Sequence, residues 1–384
     1  MKTSYDFAVI GAGVFGAWTA RYLRQSGASV IVLDAYGPGN GRSSSGGETR
    51  IIRTGYGGDE LYSRWAHRSL PIWREFFARI GRDFFTQTGV LWLADRADSH
   101  MSQMPALLGR LGVRCETLSA AEIGYRYPQL IFSDISLGVL EPESGVLLAR
   151  SAVQALGKDL AESGVEFLTA AALPPRGGGR LAEIKTLAGD AVAAGTFIFA
   201  CGAWLPKLFP DVLAERIFPT RQDVFFLGPP PGSAAFHVGK MPAWLHHTHP
   251  DRPYALPDVD GRGFKIAFDR HGPECDPDHQ ARLVSADSLN HLKAYLTQHV
   301  PSLAEAPVVE TRVCQYENTW NGDFLIDRHP GFDNVWLAGG GSGHGFKHGP
   351  ALGEYLSARV LIGAPQEARF SLASKQTRQL RAVY

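Results

Sequence analysis

Three stretches of this chain carry residues whose types and spacing can do chemistry. The first is the loop Gly11-Ala12-Gly13-Val14-Phe15-Gly16. An apolar run, Phe7–Ile10, precedes it and reads as a buried strand. Ala17, Ala20, Leu23 and Arg24 continue after it with helical spacing, and Gly27 can end that helix. A second strand, Val30–Leu33, then leads to Asp34 and Ala35. This order suits a dinucleotide. Gly11 permits the tight turn, Gly13 lets backbone approach a pyrophosphate, and Gly16 lets helix and strand pack closely. Val14 and Phe15 open the helix, whose first N–H groups and positive dipole end favour phosphate. Asp34, eighteen residues after Gly16, is spaced to accept from a ribose 2′-hydroxyl. The loop leaves open whether the dinucleotide is NAD or FAD.

The second stretch runs from Gly37 to Arg53. Its Gly- and Ser-rich half, with Ser44 and Ser45, suits a loop wrapped over a cofactor, and it leads to Glu48-Thr49-Arg50-Ile51-Ile52-Arg53. Two arginines three apart, flanking two isoleucines, can belong to that loop, or they can be the solvated ends of an ordinary helix. The third stretch is Val335–Lys347, in which an apolar strand enters Gly339-Gly340-Gly341-Ser342-Gly343-His344-Gly345-Phe346-Lys347. Five glycines in seven residues let backbone pass close to a flat or phosphorylated ligand, and Pro350 can begin the last helix. A strand ending on Cys201-Gly202-Ala203-Trp204 belongs at the same ligand edge. Lys265 sits in the apolar strand Phe264–Phe268, where it points either to solvent or into a cavity. His246, His247, His249 and His271 match no metal-ligand spacing and read as loop histidines, so no metal site is expected.

The elements that must hold these groups fall into two patterns. Asp59 can cap a helix whose Trp73, Phe76, Phe77 and Ile80 form an apolar stripe. From Phe84 the pattern changes to the strand Val90–Leu93 and a helix with Leu107, Leu108 and Leu111. Near Ser151 the first pattern resumes with an amphipathic helix (Val153, Leu156, Leu160) and the strands Val165–Thr169 and Thr196–Ala200. Residues 218–313 read as strands with Pro-containing turns and one helix bearing Leu289, Leu292 and Leu296. The Pro/Gly-rich patches 174–180 and 228–232 read as surface turns.

Composition narrows the class. With 45% hydrophobic and 20% charged residues over 384 positions, the chain reads as an ordinary globular protein of two domains. Zero formal net charge and the lack of a basic run argue against nucleic acid. Apolar runs are too short for a bilayer. Cys115, Cys201, Cys275 and Cys314 form no CxxC pair, and the first strand begins with no signal peptide ahead of it, so a cytoplasmic protein is expected.

On five motifs the chain resembles the monomeric sarcosine oxidase and N-methyltryptophan oxidase group of FAD-dependent amine oxidases, within the D-amino-acid oxidase superfamily. These are GAGVFG with Asp34, TRIIR (Thr49–Arg53), Gly263-Phe264-Lys265, Cys314-x-Tyr316, and SGHGFK (Ser342–Lys347). The resemblance spans essentially the whole length and implies FAD. It implies that Cys314 bonds the flavin covalently, that Arg50 lies against the ring, and that Arg53 and Lys347 grip a substrate carboxylate. Tyr254 and Tyr316 would line the substrate pocket, and Lys265 would promote oxygen reduction. The helix after Lys347 would aim its positive end at the flavin.

The implied fold is α/β, an FAD-binding Rossmann-like domain (1–83, 148–216, 318–384) interleaved with an α+β antiparallel-sheet substrate domain (84–147, 217–317). The implied activity is oxidation of a secondary or N-methyl amino acid by O2 in a monomer, giving an imine and hydrogen peroxide. Alternatives on the same fold are a cyclic imino-acid or fructosyl amino-acid oxidase, or a dehydrogenase with another acceptor. Asp269 stands where the family often has a histidine, with His271 nearby, and Ser45–Glu48, Trp320 and Trp244–His247 are also individual. These departures bear on the choice of amine.

Overall fold

The computed structural model describes residues 4–375. A largely parallel sheet carries the first ligand edge. Its strands run in the order Leu325–Arg328, Val335–Gly339, Ala191–Phe199, Tyr5–Ile10, Val30–Asp34 and Glu166–Thr169, with only the first antiparallel to its neighbour on this path. Strands buried on both faces should be continuously apolar. Val30–Leu33 and Val335–Gly339 are buried at every position. The helix Val14–Gln25 springs from the end of Tyr5–Ile10 and buries Trp18 completely.

Around Trp18 an aromatic cluster forms, with Trp73 edge-on at 5.0 Å and Phe76 at 5.7 Å. Both come from the Glu60–Arg79 helix, which Asp59 caps by accepting from the Tyr62 N–H. At the other end of the chain Arg369 pairs with both Asp59 and Asp323. That pairing fastens the C-terminal segment to this helix start.

The second sheet has eight strands, from Val308–Asn318 at one edge to Glu116–Ser119 at the other. It is antiparallel except where Ala243–His246 runs parallel to Val90–Ala94. The parallel pair is where strands from two separate stretches of chain meet. A third, three-stranded sheet pairs Arg50–Ile52 with Gly145–Leu147, and the latter with Phe85–Thr86. Arg50 therefore begins a strand and Arg53 directly follows it, so neither ends a helix: two adjacent isoleucines and a β-pairing partner outweigh the three-residue spacing of the arginines.

The final helix, Gly349–Ile362, crosses the first one at close range. A Cβ on Gly353 would lie 2.7 Å from the Trp18 carbonyl carbon and 2.9 Å from the Thr19 nitrogen. Backbone cannot yield as a side chain can. We therefore expect Gly353→Val to cost at least about 1–3 kcal/mol, the usual range for overpacking. Thermal unfolding should show the loss directly, with a lowered Tm and weakened retention of cofactor.

Candidate active site

Two adjoining cavities lie where the sheets meet. The larger, about 490 Å³, is lined by Gly11, Gly13, Val14, Phe15, Asp34, Ala35, Ser44, Ser45, Arg50, Cys201, Gly202, Trp204, Cys314, Gly343, Gly345 and Phe346. The smaller, about 80 Å³, is lined by Arg53, Tyr254, His344 and Lys347 among others. Arg50, Tyr316, Gly343 and Phe346 line both and form the shared wall.

The larger cavity fits a dinucleotide on several independent grounds. A Cβ on Gly11 would collide with the Ala200 carbonyl, and Gly11 holds φ +107°, so the turn requires glycine. Asp34 receives the Ala12 N–H at 2.7 Å and the Tyr36 N–H at 2.9 Å. Asn40 Nδ2 at 3.5 Å and the Gly37 N–H also approach this carboxylate, which lines the cavity where a ribose hydroxyl would meet it. Ser45 Oγ accepts from the Val14 N–H at 3.0 Å, while the next N–H groups of that first turn have no intrahelical acceptor. Deeper in, Glu317 Oε2 is buried without a hydrogen-bond partner, and burial pushes its carboxyl up to about 7. Hydroxyl groups of a ribose or polyol chain at that wall would supply the missing donors.

The expected cofactor residues are not all at the wall. Gly16 lines neither cavity, because its lack of Cβ serves packing against the Gly11 carbonyl. Thr49 also lines neither. Its carbonyl and hydroxyl instead accept from Lys265 Nζ at 2.7 and 3.2 Å. Lys265 is thus turned inward, 2% exposed, which settles its direction, although it stands behind Thr49 and not on a cavity surface. Burial, then the Arg50 charge, holds its ammonium well below the ordinary lysine range.

Arg50 donates to Thr49 O at 2.8 Å and to Ser44 O at 2.6 Å, and its Nη2 lies 3.5 Å from Cys314 Sγ. Cys314 and Tyr316 alternate on the edge strand Val308–Asn318 and so share a face.

In the smaller cavity Arg53 is sandwiched between the rings of Tyr56 and Trp92, each 4.2 Å from its guanidinium, and donates to Gly55 O. Lys347 donates to His344 O at 2.9 Å and lies 5.0 Å from the Tyr56 ring. Tyr56 is held in turn by two histidines. His344 Nε2 faces the Gly322 carbonyl at 2.9 Å and must carry the proton, so its Nδ1 accepts from the Tyr56 hydroxyl. The hydroxyl then accepts from His348 Nε2 at 2.7 Å.

Histidines in this region are less loop-like than expected. His246 ends a strand, is fully buried, and bonds Asp134 at 2.9 Å and the Tyr295 hydroxyl at 3.1 Å. His247 is buried against the cavity. The apolar strand that brings them in explains the burial, since its alternation carries His246 inward with Trp244. Among the described residues no group of His, Cys, Asp and Glu converges as a metal site. Asp269 lines the smaller cavity and accepts from the Tyr316 hydroxyl at 3.0 Å, whereas His271 does not line it. Trp320 lies elsewhere, donating to Glu215 O.

Residues not singled out in the sequence include Tyr36, Asn40, Lys207, Asp278 and Glu317 at the larger cavity, and Trp92 and Arg252 at the smaller. Glu141, at the end of an otherwise apolar strand, matters most. Its Oε2 accepts from Thr54 N (2.7 Å) and Ser144 Oγ (2.8 Å), and its Oε1 from Gly55 N (3.0 Å) and Trp92 Nε1 (3.0 Å). A single acid in the run Leu-Gly-Val-Leu-Glu was the available signal.

A dinucleotide cavity joined to a small cationic pocket defines a flavin- or nicotinamide-dependent oxidoreductase. Residues 6–359 match the FAD dependent oxidoreductase family, and the chain belongs to that family. It is 31% identical to monomeric sarcosine oxidase of Bacillus sp. (strain NS-129), with 94% of each chain covered. It is 30% identical to human peroxisomal sarcosine oxidase, with 92% of each covered. It is 26% identical to N-methyl-L-tryptophan oxidase of Yersinia pestis, over 91% of this chain and 93% of that one. In fold it is similar to L-proline dehydrogenase from P. horikoshii, with a TM-score of 0.83 at 22% identity, covering 99% and 100% of the two chains.

Replacing Glu141 by Gln puts an amide NH2 against two donors, which should cost about 1–3 kcal/mol for each group left unsatisfied. Because the same carboxylate fixes Trp92 and the Thr54-Gly55 turn around Arg53, KM for a carboxylate substrate should rise about tenfold, the effect of roughly 1.4 kcal/mol of lost binding. Steady-state kinetics beside a thermal melt reads both effects.

Proposed function

We propose that this protein oxidises a secondary or N-methyl amino acid at the C–N bond. The products are an imine, which water hydrolyses, and hydrogen peroxide from O2. The observation that carries the reading is the pairing of Arg53 and Lys347 in a small cavity that shares a wall with the dinucleotide cavity. When bound, FAD supplies the two-electron acceptor for the amine and the route of those electrons to O2.

Arg53 and Lys347 dock the substrate carboxylate, leaving its α-carbon and nitrogen toward the shared wall. Tyr254 and Tyr316 close the sides and exclude water. Arg50 would lie against the ring of the cofactor, and Lys265 would supply positive charge where oxygen becomes reduced. The division into a cofactor domain (1–83, 148–216, 318–384) and a substrate domain (84–147, 217–317) belongs to this reading. So does a cytoplasmic monomer, supported by four cysteines outside any disulfide and by relatives named as monomeric.

The small volume of the inner cavity favours compact substrates over a fructosyl amino acid, even though a fructosamine oxidase from Aspergillus fumigatus shares the fold at a TM-score of 0.79 and 22% identity. Purified protein turning over sarcosine in air should yield one peroxide per amine. Consumption of the amine without peroxide would indicate a dehydrogenase.

Lys265→Met should slow reoxidation by O2 by about 10²–10³-fold, the usual effect of removing one preorganised charge. The pH dependence has a definite sign. The ammonium form of Lys265 prevails below its folded pKa, which burial lowers, and is lost as pH rises through it. Oxygen reactivity in the unaltered protein should therefore decline with rising pH at a midpoint below 10.5, the ordinary lysine value, and the Met variant should lack that step.

Covalent attachment through Cys314 is supported by its position on the cavity wall beside Arg50. Acid-precipitated, washed protein should stay yellow, and Cys314→Ser should release its colour to the supernatant. Colour released from the unaltered protein would remove the attachment.

A further inference from the structure

Three residues that line the smaller cavity stand side by side across the second sheet. Leu245 pairs in register with Trp92 on one neighbouring strand and with Tyr254 on the other. Paired positions share a face of the sheet, so the three side chains project together into the cavity. Neighbouring strands lie about 4.8 Å apart, which makes the row about 10 Å long between its outer Cα positions. Its order matters. At one end the Trp92 ring lies 4.2 Å from the Arg53 guanidinium. At the other, Tyr254 meets Arg50 and Tyr316, which stand on the wall shared with the dinucleotide cavity. Leu245, in the middle, is the one aliphatic member of the row.

Its side chain is held in place from behind. Leu245 packs against the apolar cluster of Trp92, Met104 and Val139, and against a second one of Val90, Val146 and Leu256. A side chain wedged between two packed clusters has little room to swing away from a ligand. Alternation along the same strand sends Trp244 to the opposite face, where it joins a different core cluster. Leu245 is half-buried, and the remainder of its surface faces the cavity.

A substrate whose carboxylate docks at Arg53 and whose reacting carbon reaches the shared wall lies along this row. Its α-carbon then passes over Leu245. We infer that Leu245 sets how large a side chain the α-carbon can carry, favouring glycine derivatives over those of larger amino acids. The inference rests on the secondary-amino-acid reading above and adds to it the residue that limits the substrate. One methylene more or less in an apolar pocket changes selectivity roughly 10- to 200-fold, so a single leucine can decide the preference. Leu245→Ala removes the side chain beyond Cβ and opens room for a short alkyl group.

The test uses the flavin-loaded protein and two matched series whose α-carbon carries hydrogen, methyl, ethyl or propyl, in both enantiomers where they exist. One series runs from sarcosine to N-methylnorvaline and is followed anaerobically by flavin bleaching. The other runs from methoxyacetate to 2-methoxypentanoate, with an ether oxygen in place of the nitrogen. Its binding is read from the shift of the flavin spectrum, without turnover. In the unaltered protein, affinity should fall about tenfold or more from the first ether to the last. Leu245→Ala should bring that ratio to within about twofold, and Leu245→Val should give an intermediate ratio. A thermal melt checks each variant, and Leu245→Val carries the comparison if the alanine variant does not fold. Equal affinity along the ether series, no binding of any ether, or an unchanged decline in the variants would overturn the inference. Bleaching by the amines regardless of the α-group would remove the role of Leu245 and keep the oxidase reading. A graded ether series that Leu245→Ala flattens, without bleaching by any amine, would keep Leu245 as the size limit and remove the oxidase reading.

Discussion

Burying positive charge is the constraint on which the rest of this structure depends. Arg53, Lys265 and Lys347 are each between 2% and 4% exposed, and a bare cation in such surroundings is expensive. The chain meets the cost by giving each one main-chain carbonyls or ring faces: Gly55 O with Tyr56 and Trp92 for Arg53, His344 O for Lys347, Thr49 O for Lys265. A carbonyl or an aromatic face satisfies donors without cancelling a full charge.

The neighbouring structure can be understood as support for that arrangement. Glu141 accepts four hydrogen bonds and so holds the Thr54-Gly55 turn and Trp92 against Arg53. The His344–Tyr56–His348 chain holds the ring that lies under both Arg53 and Lys347. The glycines play the complementary part. Gly343, at φ +80°, lies so close to Tyr316 that a Cβ would sit 2.6 Å from the ring, which keeps the wall between the two cavities thin.

Much of this was legible in the sequence, and the parts that were not share physical causes. The strand–loop–helix–strand order around Gly11–Gly16 encodes both topology and ligand edge, because each glycine meets a backbone demand that no other residue satisfies. Lys265 was ambiguous because period-two alternation assigns a side chain to a face without saying which face meets a cavity. Arg50 to Arg53 was ambiguous because a three-residue strand is too short to show its period. Glu141 lies far apart in sequence from the Thr54-Gly55 turn and the Trp92 that it serves, and its role comes from neighbours that only the fold supplies. The close crossing at Gly353 was hidden for the same reason. Its helix partner is more than three hundred residues away.

The most direct test of the account compares sarcosine with dimethylamine, which has the same secondary amine but no carboxylate. Each is mixed anaerobically with the flavin-loaded protein while the visible spectrum is followed. Sarcosine should bleach the flavin while dimethylamine at equal concentration should not. Equal bleaching by dimethylamine would mean that the buried cations do not position the substrate, and the account would be wrong at its centre.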